Sequence, residues 1–457
     1  MICASLLPLP LPLSPPTRHA EMSRRSFIKT ALKAGLTIPM AATAGATAAC
    51  NPLQRGPDAP RPSTQPVKLD YWDAQAGGPV ITPLIQRFQE INPRFTVNIT
   101  SMTQAESLDK FYAVFAAGTA PDVWKSTLVY NADFAARKVS ANLEPYAATL
   151  KSELLPLALE DARRYKNTLY NVPSEMDVYI QYYHADIFAR TGLKPPDTLD
   201  QLVQVGQQLL RQSTPDKPLW AIPVTGARGG HFQNLLTCMA WNGAGVQNGL
   251  FDNNGNCLLT TPASVAGYQY WGDLLRRHQI APPVGTAGVS IAAGTLATQW
   301  QFLSTIASLD TNPGVDKYGT AKTPAGPKGR FVPWGANGWM MYRATKHPGD
   351  AWVLLSYLLS PEVNGQFCQA RGVMPSNAKA YQQSWLQRPA YKPAIELLQT
   401  PSQLLNNPVW LSEWTTFVAE IAVQHNTKFL AGEETAQQAL QGMATFLTTA
   451  HKKYLAS

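Results

Sequence analysis

The chain has no CxxC pair and no Cys/His cluster at metal-ligand spacing, so neither a metal centre nor a cofactor is expected. It contains no Gly-x-Ser-x-Gly turn and no His-Glu-x-x-His segment, which removes the signatures of a serine-nucleophile hydrolase and a zinc protease. There is no internal repeat and no run of basic residues. The formal charge of +8 is partly an N-terminal effect, because Arg18, Arg24, Arg25, Lys29 and Lys33 stand there against Glu21 alone. Without residues 1–49 the balance is near +4, which argues against nucleic acid as a partner. Twelve Trp, seventeen Tyr and thirty-seven Pro are the compositional excess.

The N-terminal region reads as an export device. Ser23-Arg24-Arg25-Ser26-Phe27-Ile28-Lys29 resembles a twin-arginine signal, and a mildly apolar stretch rich in Ala, Gly and Thr follows it to Ala48-Ala49-Cys50. That stretch is interrupted by Gly35, Pro39 and Gly45, so it does not read as a membrane span. The mature chain is expected outside the cytoplasm, periplasmic or at the cell surface. Small residues before Cys50 fit lipoprotein processing, with Cys50 joined to lipid; ordinary cleavage after Ala48 or Ala49 is the other outcome. Residues 50–66 carry Pro52, Pro57, Pro60, Pro62 and Pro66 and read as an extended tether. Residues 1–21 precede a second start at Met22 and read as an extension upstream of a signal at 22–49.

Some 408 residues remain after position 49, too many for one compact core and suited to two lobes. Val67-Lys68-Leu69-Asp70-Tyr71-Trp72 alternates like a strand, and Ile81, Leu84, Ile85 and Phe88 then share a helical face. Phe95 to Ile99 is the next strand. Leu108, Tyr112 and Phe115 mark a helix stopped by Gly118, and Pro121 to Trp124 reads as a short buried strand. Such alternation predicts an α/β fold with parallel sheets covered by helices. Ligands of such folds gather beyond the C-terminal ends of the strands, here near Trp72-Asp73 and Trp124-Lys125. Thr198 and Gln201 form a capping-box-like helix start, and Trp352 on its Ala-Trp-x-x-Leu-Leu helix reads as core. Cys238 and Cys257 either pair in an oxidising compartment or stay as two buried thiols.

Five segments occur in an order that resembles the sugar-binding, maltose-binding-protein-like group of extracellular solute-binding proteins that serve ABC importers. They are Phe88 to Pro93, Ala116 to Val123, Tyr170 to Phe188, Gly192 to Asp200 and Lys346 to Leu358. Each motif is weak alone; their order carries the likeness, from about Val67 to Tyr454. The resemblance implies a two-lobe periplasmic-binding-protein fold of type II, each lobe a sheet flanked by helices, joined by two crossing strands. The crossings are expected at Asp177 to Tyr183, which alternates with a period of two and so offers the face of 177, 179, 181 and 183 to a cleft, and at Phe331 to Met341, where small residues leave room for ligand and backbone rotation. The lobes are then 67–178 with 336–384, and 179–335 with 385–457. It also implies a monomer that binds a carbohydrate and hands it to permease subunits.

Sugars are gripped by aromatic faces and planar polar groups. The candidates are Trp72, Asp73, Trp124 and Asp177, then His231, Gln233 and Asn234 after the Gly229-Gly230 turn, Trp334 and Asn337 on the second crossing, and Trp410 and Trp414 on a late helix. Trp300 falls where the family carries a cleft tryptophan, although Gly294-Thr295-Leu296-Ala297-Thr298 departs from the usual motif. Asp73, Asp122, Glu175 and Asp177 leave a glycosidase open as an alternative. Glycerol phosphate or another small anion is a third reading, weakened because Arg228 is the only arginine that the sequence places near this cleft.

Overall fold

A computed structural model describes residues 58–75, 78–214, 218–224, 230–246 and 249–457. The export signal and Cys50 lie outside the described residues. So does the first part of the tether, but residues 58–66 are in view. Their chain runs close over Gly349, and the Ser63 amide donates to both oxygens of Asp350 at 3.1 and 3.2 Å. This part of the tether is therefore docked on the first turn of helix Pro348–Leu358.

Strands β1 (Val67–Asp73), β2 (Phe95–Ser101) and β3 (Val123–Ser126) alternate with helices Gly78–Ile91 and Gln104–Ala117, as the periodicity predicts. Ile81, Leu84, Ile85 and Phe88 are the buried face of the first helix, and Gly118 ends the second in a left-handed conformation at φ 68°. The short β4 (Val172–Pro173) leads into the long β5 (Glu175–His184). Next come β6 (Thr298–Phe302), β7 (Tyr318–Ala321), β8 (Val332–Gly335), β9 (Gly338–Met341), β10 (Met374–Pro375) and β11 (Leu404–Leu405).

Two sheets result. The first has the order β2-β1-β3-β9-β4; the second has β10-β5-β8-β11, with β6 and β7 also on β5. β1 is parallel to β2 and β3, whereas β9 runs antiparallel to β3 and β4. The chain leaves the first sheet at Ser174 and returns to it at Ala336-Asn337. The expected second crossing is thus two short strands with a two-residue break. Helices cover both sheets, which makes this the expected two-lobe α/β fold of type II. Thr198 caps helix Leu199–Arg211 by accepting from the Gln201 amide at 3.2 Å, and Trp352 is buried with its ring 5.0 Å from Tyr146.

One expectation about β5 fails. Its alternation suggested a polar face open to a cleft, yet the strand is buried on both faces except at Tyr183. β6, β7, β8 and β10 all pair with it, so Gln181 spends its amide on the Pro196 carbonyl and on the Trp300 indole instead of on solvent. Cys238 and Cys257 are separate thiols. Cys238 packs inside helix Gly230–Trp241, while Cys257 faces Phe251 across a β-bridge, so each is held by its own surroundings.

Candidate functional site

A cleft of about 670 Å³ opens where the C-terminal ends of β1, β2 and β3 face the second sheet's lobe. Gln75 follows β1, Thr103 and Gln104 follow β2, and Thr127 to Tyr130 follow β3. The opposite wall holds Gln301, Phe302 and Ser304 from the end of β6, Gln233 from its helix, and Asn407 and Val409 beyond β11. It continues with Thr415 and with Val418, Ala419 and Glu420, which sit in a π-helical turn, Phe417–Ile421. Such turns commonly mark functional sites. Asp177, Trp334, Gly335 and Asn337 supply the floor from the crossings, together with Asp161 and Arg371.

Below the floor lies a buried ion network. Glu175 and Lys125 are wholly buried and 3.4 Å apart, and Arg371 approaches both Glu175 oxygens at 3.3 Å. Arg371 also donates to the Gln75 carbonyl at 2.7 Å. Asn337 donates to Glu175 at 3.3 Å and accepts from the Leu128 amide at 3.0 Å, tying the second crossing to the start of β5 and to the turn after β3. Burial alone would raise the Glu175 carboxyl, but the charges and hydrogen bonds of Arg371 and Lys125 outweigh it and hold it down to about 2. Burial likewise lowers Lys125, with Glu175 opposing. Asp177 has less relief. Burial pushes its carboxyl up to about 7, reinforced by the charge on Glu175 and opposed by hydrogen bonds from the Ser304 hydroxyl and amide (the amide at 3.2 Å) and by the charge of Arg371. Asp161 is raised by burial too, with Arg164 at 2.7 Å opposing. Arg164 also holds Asn406 and the Asn407 carbonyl and lies near the Trp334 ring.

Of the residues expected in the site, Asp177, Gln233, Trp334 and Asn337 line the cleft. The other tryptophans do not. Trp72 and Trp124 are register partners on adjacent strands, so their side chains share one face of the sheet. That face lies under helix Gln104–Ala117, where Trp72 meets Phe111 at 5.7 Å and Trp124 meets Phe115 at 5.6 Å. The strand ends were rightly located, but these rings point to the helix layer. Asp73, one residue on, is buried and accepts from the Tyr71 hydroxyl and the Gln75 amide. Trp300 is core, 5.1 Å from Trp241 and 5.8 Å from Trp271, because its face of β6 turns inward while that of Gln301 turns to the cleft. Trp410 sits in a turn rather than a helix and packs against Gly249; Trp414 stacks on Phe417 at 5.1 Å. Asn234 is buried on the Gly230–Trp241 helix and is not among the lining residues. The side chain of His231 is outside what the structure describes.

The four carboxylates of the glycosidase alternative are not assembled. Asp122 accepts from the Asp70 amide and the Thr345 hydroxyl, Asp73 and Glu175 are committed as above, and only Asp177 of the four lines the cleft. Among the described residues no cluster of three or more His, Cys, Asp or Glu could hold a metal ion. Sequence reasoning missed Arg371 and Asp161, which are distant in sequence from every motif. It also missed Gln75 and Gln301, which the period of two could have found next to the tryptophans.

Residues 83–394 match the family described as bacterial extracellular solute-binding protein, and the chain belongs to that family. A binding protein of Brucella abortus (strain 2308) is 22% identical over 323 residues, covering 66% of this chain and 73% of its own. The fold is that of the maltose-binding-protein-like members. The GacH receptor of Streptomyces glaucescens, solved unliganded and with acarbose, superposes with a TM-score of 0.74 at 19% identity, covering 85% of this chain and 99% of its own. Maltose-bound T. maritima MalE3 gives 0.71 at 20% identity, covering 84% and 99%. UgpB from Mycobacterium tuberculosis, solved with glycerophosphocholine, gives 0.73 at 18% identity, covering 85% and 99%. Among the described residues no helix is long and apolar enough to cross a membrane.

Proposed function

We propose that this chain is the substrate-binding component of an ABC importer, capturing a mono- or oligosaccharide between its lobes by hinge closure and delivering it to the permease. The observation that carries the reading is the lining of the cleft. Trp334, Phe302 and Tyr130 offer aromatic surface, and Gln75, Gln104, Gln233 and Gln301 offer planar amides that can donate to and accept from hydroxyls. Its volume of about 670 Å³ suits a small ligand largely enclosed on binding. The lobes divide as 67–178 with 336–384, and 179–335 with 385–457. Closure turns about Ser174 and Ala336-Asn337, and ligand favours the closed form through contacts made only there.

The protein acts as a monomer, exported by the twin-arginine signal at 22–49 and held to the membrane through lipid on Cys50. Mass spectrometry of the mature N-terminus tests that part: an unmodified terminus at any residue other than Cys50 removes the anchor. Titrating tryptophan fluorescence with neutral and charged sugars tests the binding reading. A saturable change with at least one sugar is expected, and silence across the panel counts against it.

A further inference from the structure

We infer that the ligand of this cleft is a polyhydroxylated carbohydrate bearing a basic nitrogen, whose ammonium seats against Asp177 in the cleft that the Trp334 indole also lines. This rests on the carbohydrate reading above and narrows it. Among the described residues the lining holds four carboxylates, Asp109, Asp161, Asp177 and Glu420, and one guanidinium, that of Arg371. Arg371 is already spent on Glu175 and the Gln75 carbonyl. Asp161 has its own cation in Arg164. Asp177, 6% exposed, has the neutral Ser304 amide and hydroxyl as partners, and no ion pair forms to it among the described residues.

A nearly buried carboxylate with no ion-pair partner of its own, the nearby Arg371 being committed to Glu175, raises the free energy of the empty site, and a ligand ammonium relieves it. Gly335, with no side chain, is the register partner of Asp177, which leaves the space over the carboxylate open, and Trp334, one residue before it, lines the same cleft. Aromatic surface in the same cleft adds attraction for a cation. Asp109 and Glu420 on the exposed rim add to the negative field, which disfavours phosphates and other anions.

Proton competition gives a second handle. The charged and titratable groups around Asp177 are Glu175 and Tyr179 on its own strand, Tyr182 further along it, and Arg371 from helix Pro361–Arg371; Asp161 lines the same cleft. Burial pushes the Asp177 carboxyl up to about 7, so an ammonium ligand must displace a proton below that pH. Its affinity then falls by up to about tenfold per pH unit, while that of a neutral analogue lacks this loss.

The experiment is calorimetry on the mature chain with oligosaccharides of matched linkage in amino, N-acetylamino and hydroxyl forms, with glycerol phosphate as the anionic probe. At pH 8 the amino form is expected to bind at least tenfold tighter than its neutral counterparts, and glycerol phosphate not at all. The amino-to-neutral affinity ratio should shrink between pH 8 and 5.5, and Asp177→Asn should bring it close to one. Equal or tighter binding of the neutral form, a ratio independent of pH, or a preference that survives Asp177→Asn would overturn the inference and leave the carbohydrate reading standing. Absence of binding by every carbohydrate, charged or neutral, removes both. The wild-type pH series decides the matter if the variant does not fold.

Discussion

Glu175 and Asp177 stand two residues apart on one strand, yet their surroundings drive them in opposite directions. Glu175 is clamped by Lys125 and Arg371, so Glu175→Gln leaves two buried cations facing a neutral amide. That change is expected to cost about 3–5 kcal/mol of unfolding free energy, read by urea denaturation. With its carboxyl held down to about 2, Glu175 contributes stability that is present above the ordinary carboxylate range and is lost as pH falls toward 2. Asp177 behaves oppositely. Its raised carboxyl favours the fold below about pH 4, and this contribution is lost as pH rises through about 7. Asp177→Asn should therefore stabilise the ligand-free protein by about 1–3 kcal/mol at pH 8 and by almost nothing at pH 4. Denaturant midpoints at the two pH values check this; equal gains at both would show that Asp177 is not the group titrating.

The crossings and the helix that faces them are the elements on which the proposed closure depends. Gly338 opens β9 where a Cβ would lie 2.1 Å from both the Val172 carbonyl and the Asn171 side chain. Gly338→Ala must push β4 off β9, at about 1–3 kcal/mol, and a lowered thermal midpoint is the expected readout. Across the cleft, the Thr415 hydroxyl donates to the Val129 carbonyl at 3.2 Å, a direct bond between the walls. Thr415→Val keeps the shape and removes the donor. Ligand affinity should drop about three- to tenfold by calorimetry, the worth of one net hydrogen bond, because the bond exists only while the walls are together. An unchanged affinity would mean that the bond forms equally in the open state.

For the molecule as a whole, the closure proposed above makes ligand binding a change of shape as well as of contacts. Small-angle scattering with and without a saturating sugar should show a smaller radius of gyration in the bound state. Binding by calorimetry with no compaction would show that this cleft is already closed without ligand. The buried ion network beneath the floor joins β1's end, β3, both crossings and helix Pro361–Arg371. It fixes the geometry of the chain where it passes between the two sheets.

Periodicity and turn chemistry in the sequence were enough to define β1 to β3 and their helices, the stop at Gly118, the cap at Thr198 and the core role of Trp352, because these are local effects. The order of the motifs gave the two-lobe fold. It puts the first crossing at Asp177 to Tyr183, whereas the chain changes sheets at Ser174 because all of β5 pairs in the second sheet. The strand-end rule points to the rim where the cleft opens. What only the tertiary structure decided was which face each side chain took. Trp72, Trp124 and Trp300 are on the right strands, but helix packing claims their rings, while neighbours such as Gln75 and Gln301 meet the cleft. Arg371 reaches Glu175 from a helix 196 residues further along the chain. No local pattern encodes such a pairing, since it arises only when two lobes bring distant charges into one low-dielectric space.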